Sequence, residues 1–215
     1  MISLFIVITG VHIASGTVGL ITGIISMSTT KGMRVHRKAG KIFYYAMVMI
    51  FLSSLYMSIV KNNIFLLLIG FFSIYLASTG YRILWHKKIT PNKTKISPLD
   101  YLLCFTGMLA GIAMLALSIY YFLNGSNFGI VLLTFGIVSF GFGFQDFYKL
   151  KNTPKEKTHW INGHALRMGG AFTATVTAFI VVNISISQQW ILWILPTLVI
   201  VPIARKMAYN FTQPK

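Results

Sequence analysis

Charge is what this sequence has least of. Only 10% of its 215 residues are charged, against roughly 25% in a soluble globular domain. Acids are scarcest, and Asp100, Asp146 and Glu156 are all there are. Cysteine is nearly absent too. The lone Cys104 excludes an internal disulfide and any Cys-based metal motif. No H-E-x-x-H, Gly-x-Ser-x-Gly, phosphate-binding loop or dinucleotide fingerprint occurs, so no enzyme class marked by those motifs is indicated. The N-terminus, Met1-Ile2-Ser3-Leu4-Phe5, lacks the basic region of a secretory signal. Its apolar run is too long for a signal core and reads as a membrane span.

Apolar residues make up 55% of the chain. They fall into recurring runs of about 20, the length that crosses ~30 Å of hydrocarbon as a helix. The expected fold is an all-α integral membrane bundle of seven transmembrane helices, in one domain over 1–215 with no room for a soluble one. The spans read as 2–27, 41–60, 64–85, 99–123, 128–144, 164–184 and 190–204. Run length and the lack of period-2 alternation exclude barrel strands.

The nineteen Lys and Arg residues set a net charge of +16, and all but Lys61 fall on one side of these spans. The first basic loop holds Lys31, Arg34, Arg37, Lys38 and Lys41, and the second holds Arg82, Lys87, Lys88, Lys93 and Lys95. Lys149, Lys151, Lys155, Lys157 and Arg167 follow around the third, and Arg205, Lys206 and Lys215 close the chain. The positive-inside rule makes that side the cytoplasm. The N-terminus is then outside and the C-terminus inside, in a bacterial inner membrane. The expected partners are the lipid bilayer and anionic lipid head groups on the cytoplasmic side. No nucleic-acid module pattern occurs, so nucleic acid is not expected as a partner. An oligomer is compatible with the sequence.

Small residues mark expected helix contacts, because lipid gives no drive to bury apolar surface and packing must come from close approach. His12, Gly16, Gly19 and Gly23 share one face of span 1, and Asp100, Cys104, Gly107 and Gly111 one face of span 4. Gly129, Gly136 and Gly143 repeat by seven in span 5, and Arg167, Gly170, Ala174 and Ala178 share a face of span 6. Spans 1–3 and 5–7 have the same orientation about span 4, which suggests a three-plus-one-plus-three repeat of the kind transporters use.

The chemistry-bearing groups are few. His12 lies near the middle of span 1, a depth where ionisable groups are costly and face the bundle interior. It reads either as a neutral imidazole bonded to a Ser or Thr of a neighbouring span, or as a relay or ligand. His36, His86, His159 and His164 all map to the cytoplasmic edge. His36 and His164 open spans at similar depth and could face one another across a haem or share a metal. His12 and His164 differ in depth by more than ~10 Å at 1.5 Å per residue, so they cannot ligate one iron. Arg167 with Asp146, and Arg82 with Asp100, are expected to pair across short connections and to line a cavity. Hydroxyls and amides in spans 3 and 6, from Ser73, Tyr75, Ser78, Thr79, Thr173, Thr175, Thr177 and Asn183, suggest a crevice lined by spans 1, 3 and 6.

Two blocks carry a resemblance. The first is His12-Ile13-Ala14-Ser15-Gly16 followed by His36-Arg37-Lys38-Ala39-Gly40-Lys41-Ile42-Phe43. The second is Trp160, His164-Ala165-Leu166-Arg167-Met168 and Thr177-Ala178-Phe179. The chain resembles a family of uncharacterised bacterial membrane proteins, a domain of unknown function described as "predicted membrane protein". That resemblance implies a multi-pass inner-membrane protein and supplies no activity, substrate or cofactor. Three functions stay open at this point. One is a redox-linked or cofactor-handling protein that binds haem b or quinone through His36 and His164, with His12 as relay. The second is a small transporter, and the third a membrane scaffold or lipid-binding protein.

Overall fold

The structure is a computed structural model that describes residues 2–85, 96–152 and 159–213. It forms seven helices: α1 (Ile2–Ser28), α2 (Arg34–Val60), α3 (Ile64–Arg82), α4 (Pro98–Leu123), α5 (Phe128–Lys151), α6 (His159–Asn183) and α7 (Trp190–Thr212). Each is long and apolar enough to cross a membrane. No strand occurs among the described residues. The expectations on His86, Lys87, Lys88, Lys93, Lys95, Lys155, Glu156, Lys157 and Lys215 lie outside the described residues.

Helix ends differ from the apolar spans. α2 begins at Arg34 rather than 41, α5 runs on to Lys151, α6 begins at His159 and α7 reaches Thr212. α3 stops at Arg82 rather than 85. Hydropathy marks the hydrocarbon, whereas backbone hydrogen bonds carry a helix on through the interface. His36 and His164 therefore sit inside helices, with fixed directions, and not at loose span openings.

Local chemistry sets several of the starts. Asn63 caps α3 by accepting from the Leu66 N–H. Ser97 and Asp100 form a capping box at α4, with Pro98 in the first helical position. Asp100 is thus held at a helix start before it meets any cation.

α3 is the central helix and packs against α2, α4 and α6. α1 with α2, α4 with α5 and α6 with α7 form antiparallel hairpins around it. The tightest seam joins α4 and α5. A Cβ on Gly129, Gly136 or Gly143 would come within 2.8, 2.9 and 2.8 Å of Phe122, Leu115 and Met108. Those three side chains are also spaced by seven, so large residues of α4 enter glycine notches of α5 at the period of a left-handed pair. In return, Gly111 of α4 takes the Phe140 backbone, whose nitrogen would lie 2.5 Å from a Cβ there.

Two expected stripes need correction. In α1, Gly23 closes on the Phe172 ring and Gly19 makes ordinary contacts, but Gly16 faces open space. In α6, the buried row is Arg167, Ala171 and Thr175, while Ala178 is exposed. Gly170 of the expected row still meets Leu76 of α3, and Ala174 is half-buried. The repeat fares no better. A three-plus-one-plus-three duplication would pack α5 along α6 as α1 packs along α2. Instead α5 pairs with α4, and no lengthwise α5–α6 contact forms among the described residues. Opposite the basic loops, Phe65, Tyr121, Phe128 and Trp193 close the bundle with edge-to-face and tilted rings.

Candidate functional site: a two-histidine cavity at the basic end

At the basic end, α1, α2, α3, α6 and α7 enclose a cavity of about 420 Å³, within the size range of ligand pockets. Phe43, Phe172, Met168 and Met207 give it apolar walls, and Lys31, Arg37 and Lys41 bring positive charge to it. His36 and His164 both line it. Their ring centres are 6.3 Å apart with the planes at 75°. The pairing expected from depth is therefore the one the fold makes.

Each ring is anchored on a neighbouring helix. His36 Nδ1 lies 3.0 Å from the Ser26 carbonyl and 3.2 Å from its Oγ. Ser26 is in the last turn of α1, where carbonyls have no partner within the helix. Lys31 serves the same end: its Nζ donates to the carbonyls of Ser26, Met27 and Thr29 at 2.9, 2.5 and 3.2 Å. A cation there also suits the negative end of the helix dipole. Burial pushes the Lys31 ammonium pKa down. The chain then reverses through Gly32, whose φ of 78° falls where side chains are disfavoured. One turn beyond His36, a Cβ on Gly40 would sit 3.6 Å from Ser26 Oγ, so the His36–Gly40 face lies directly on α1.

His164 Nδ1 lies 2.8 Å from the Gly80 carbonyl of α3. A side chain at residue 80 would prevent this. Its Cβ would stand 2.8 Å from Arg167 Cβ and 3.0 Å from the Met168 backbone nitrogen. Glycine lets α6 close on α3 until the imidazole reaches the carbonyl. Carbonyls only accept, so a neutral ring in either position carries its proton on Nδ1. Metal-ligating histidines are oriented by this kind of second bond. Among the described residues no group of three or more His, Cys, Asp or Glu gathers to hold a metal ion. A structural zinc needs four protein ligands, and the described residues do not gather them. A haem is held by fewer protein ligands, and His36 and His164 are the residues that could supply them.

His12 is not part of this cavity. Its Nδ1 lies 2.9 Å from Ser53 Oγ, and the Ser53 hydroxyl donates to the Met49 carbonyl at 2.7 Å. The contact matches one of the two roles expected of His12, an imidazole bonded to a hydroxyl of a neighbouring span. From His36 to Ser53 along α2 is about 25 Å at ~1.5 Å per residue, so no direct relay links the two histidines.

Both expected ion pairs form. Arg82 meets Asp100 through two nitrogens. Arg167 Nη2 meets Asp146 at 2.5 Å, and Tyr75, fully buried, donates its hydroxyl to the same carboxylate at 2.6 Å. Arg167 is only 3% exposed and stacks 3.9 Å from the centre of the Phe142 ring. Its Nε has no acceptor among the described residues. The two pairs, with Cys104, Lys149 and His159, line a second cavity of about 70 Å³. His164 and Arg167 are one turn apart on α6 and line different cavities.

The crevice expected among spans 1, 3 and 6 takes another form. The hydroxyls of Ser73, Thr79, Thr173 and Thr175 bond back to carbonyls of their own helices. The cavity draws its polarity instead from histidines and helix ends. Ser26 and Gly80 were not singled out in the sequence. Neither residue type signals an anchor, and each acts through a backbone carbonyl.

Residues 9–139 match the family described as Predicted membrane protein (DUF2306). The chain belongs to that family. It is accordingly a multi-pass membrane protein of a family whose function is unknown. The match runs from within α1 to the middle of α5 and includes His12, His36, Arg82 and Asp100. Asp146, His164 and Arg167 lie beyond it. No curated protein and no solved structure matches the chain.

Proposed function

We propose that this chain is a redox membrane protein that holds haem b between His36 and His164. The observation that carries the reading is the pair of imidazoles 6.3 Å apart on one cavity, each with Nδ1 at a backbone carbonyl. His36 and His164 would be the residues that hold the haem iron, one from α2 and one from α6. The carbonyls of Ser26 and Gly80 would fix both rings and raise the basicity of Nε2. Phe43, Phe172 and Met168 would keep water from the macrocycle, and Arg37 and Lys41 suit its two carboxylates. Bound haem supplies one-electron transfer.

The positive-inside rule would put this site on the cytoplasmic side of a bacterial inner membrane. The aromatic closure of the opposite end argues against a transport path open to both sides. The test is an absorption spectrum of protein purified from haem-replete cells. A Soret band that His36→Ala and His164→Ala each abolish, and His12→Ala leaves, supports the reading. Wild-type protein with no Soret band overturns it, and co-purified quinone in its place would make quinone the ligand of the cavity.

A further inference from the structure

We infer that the smaller cavity, between α3, α4, α5 and α6, binds a phosphate-bearing anion at Lys149. Arg82, Arg167 and Lys149 all line this space, with His159 and the two aspartates. Both carboxylates are already engaged. Asp100 accepts from Arg82 and from the Ser97 N–H at 2.8 Å. Asp146 accepts from Arg167 and Tyr75. Lys149 makes no ion pair among the described residues, although it is half-buried. Two guanidinium groups balance two carboxylates, and the lysine charge is left over.

A partly buried charge without a counterion is costly. An anion at Lys149 removes that cost and finds two guanidinium groups beside it, the side chain best matched to phosphate oxygens. The space of about 70 Å³ equals roughly two water volumes. That is space on the scale of a phosphate group.

Among the described residues α5 and α6 make no lengthwise backbone contact, and Arg167 bridges them through Asp146 and Phe142. Lys149 stands on the α5 side of the seam between the two helices and His159 on the α6 side. The seam lies at the basic end, at the level of lipid phosphates. The phosphate can therefore come from an anionic phospholipid head group or from free inorganic phosphate. The inference stands apart from the haem reading, which concerns the other face of α6.

The test uses the full chain, purified in detergent and also placed in nanodiscs. Unfolding is followed against inorganic phosphate, with sodium chloride at matched ionic strength as reference. Nanodiscs of phosphatidylglycerol are compared with nanodiscs of phosphatidylcholine. The expected result is a rise in Tm with phosphate, with phosphatidylglycerol, or with both. A response to phosphate alone names the free ion, and a response to phosphatidylglycerol names the head group. Lys149→Gln should raise the half-saturating phosphate or phosphatidylglycerol level about tenfold, the effect of losing one charged hydrogen bond. Lys149→Arg should keep binding and shows that loss of folding is not the cause. If neither phosphate nor phosphatidylglycerol shifts Tm beyond the chloride reference, or if Lys149→Gln titrates like wild type, the inference is wrong.

Discussion

Replacing Gly80 by alanine adds one methyl group to the contact between α3 and α6. That carbon would sit 2.8 Å from Arg167 Cβ and 3.0 Å from the Met168 nitrogen, where carbon atoms prefer roughly 3.5–4.0 Å. Two of the obstacles are backbone or Cβ atoms, which no rotamer change can move. α6 must retreat by about 1 Å, which stretches the 2.8 Å bond from His164 to the Gly80 carbonyl to roughly 3.8 Å, past the hydrogen-bond limit. Overpacking costs about 1–3 kcal/mol, and the lost bond adds about 1 kcal/mol. The gain in helix propensity from glycine to alanine offsets about 1 kcal/mol. The net loss is about 1–3 kcal/mol, a fall in Tm of roughly 3–10 °C for a chain of this size. Gly16→Ala is the matched control, because nothing lies within 4 Å of a Cβ there. It should leave Tm unchanged or slightly raised. Thermal unfolding in detergent, followed by size-exclusion chromatography or tryptophan fluorescence, reads both variants. Equal stability of Gly80→Ala and Gly16→Ala would refute the close approach. A destabilised Gly80→Ala that still binds haem as wild type does would refute the role of the carbonyl in holding His164.

Four further outcomes follow from the same contacts. Asp146→Asn leaves Arg167 buried at 3% exposure without its carboxylate and should cost about 3–5 kcal/mol; thermal unfolding should show Asp146→Asn with Arg167→Met recovering most of it. Gly107→Ala places a Cβ 2.8 Å from the Tyr75 ring and should lower Tm by a similar mechanism to Gly80→Ala, readable in the same assay. Ser53→Ala removes the hydroxyl that bonds His12 and should cost only about 0.6 kcal/mol, the mean for hydrogen bonds between membrane helices; a larger loss of Tm would show that His12 does more than pack. Reporter fusions should place the N-terminus outside and the C-terminus in the cytoplasm, and the reverse pattern would move the cavity to the other face.

The sequence made the bundle legible because membrane physics leaves few choices. Apolar run length fixes helix number, and loop charge suggests orientation. The seven-residue glycine repeat of α5 read correctly as a packing seam. The span 1 stripe read only in part, since Gly19 and Gly23 meet neighbouring side chains while nothing lies within 4 Å of a Cβ at Gly16. Depth arithmetic brought His36 to His164 and separated both from His12. Charge scarcity paired Arg167 with Asp146 and Arg82 with Asp100, since buried ions without partners are costly. The anchors were not legible. Ser26 and Gly80 act through carbonyls that every residue has, and only the approach of a second helix makes them special. Tyr75 was one polar group among eight until its hydroxyl met Asp146. The hydroxyls of Thr173 and Thr175 misled for the opposite reason: a helix supplies acceptors one turn back, so polarity in a span need not face a cavity.

The central claim is that two histidines on α2 and α6 hold one ligand between them. Haemin titration of purified wild type, His36→Ala, His164→Ala and His12→Ala tests it most directly, with absorption and electron paramagnetic resonance read together. The account predicts one haem per wild-type chain in a six-coordinate low-spin state. Either cavity variant should lose that state, and His12→Ala should keep it. Wild type that binds no haemin, or cavity variants whose spectra match wild type, would contradict it.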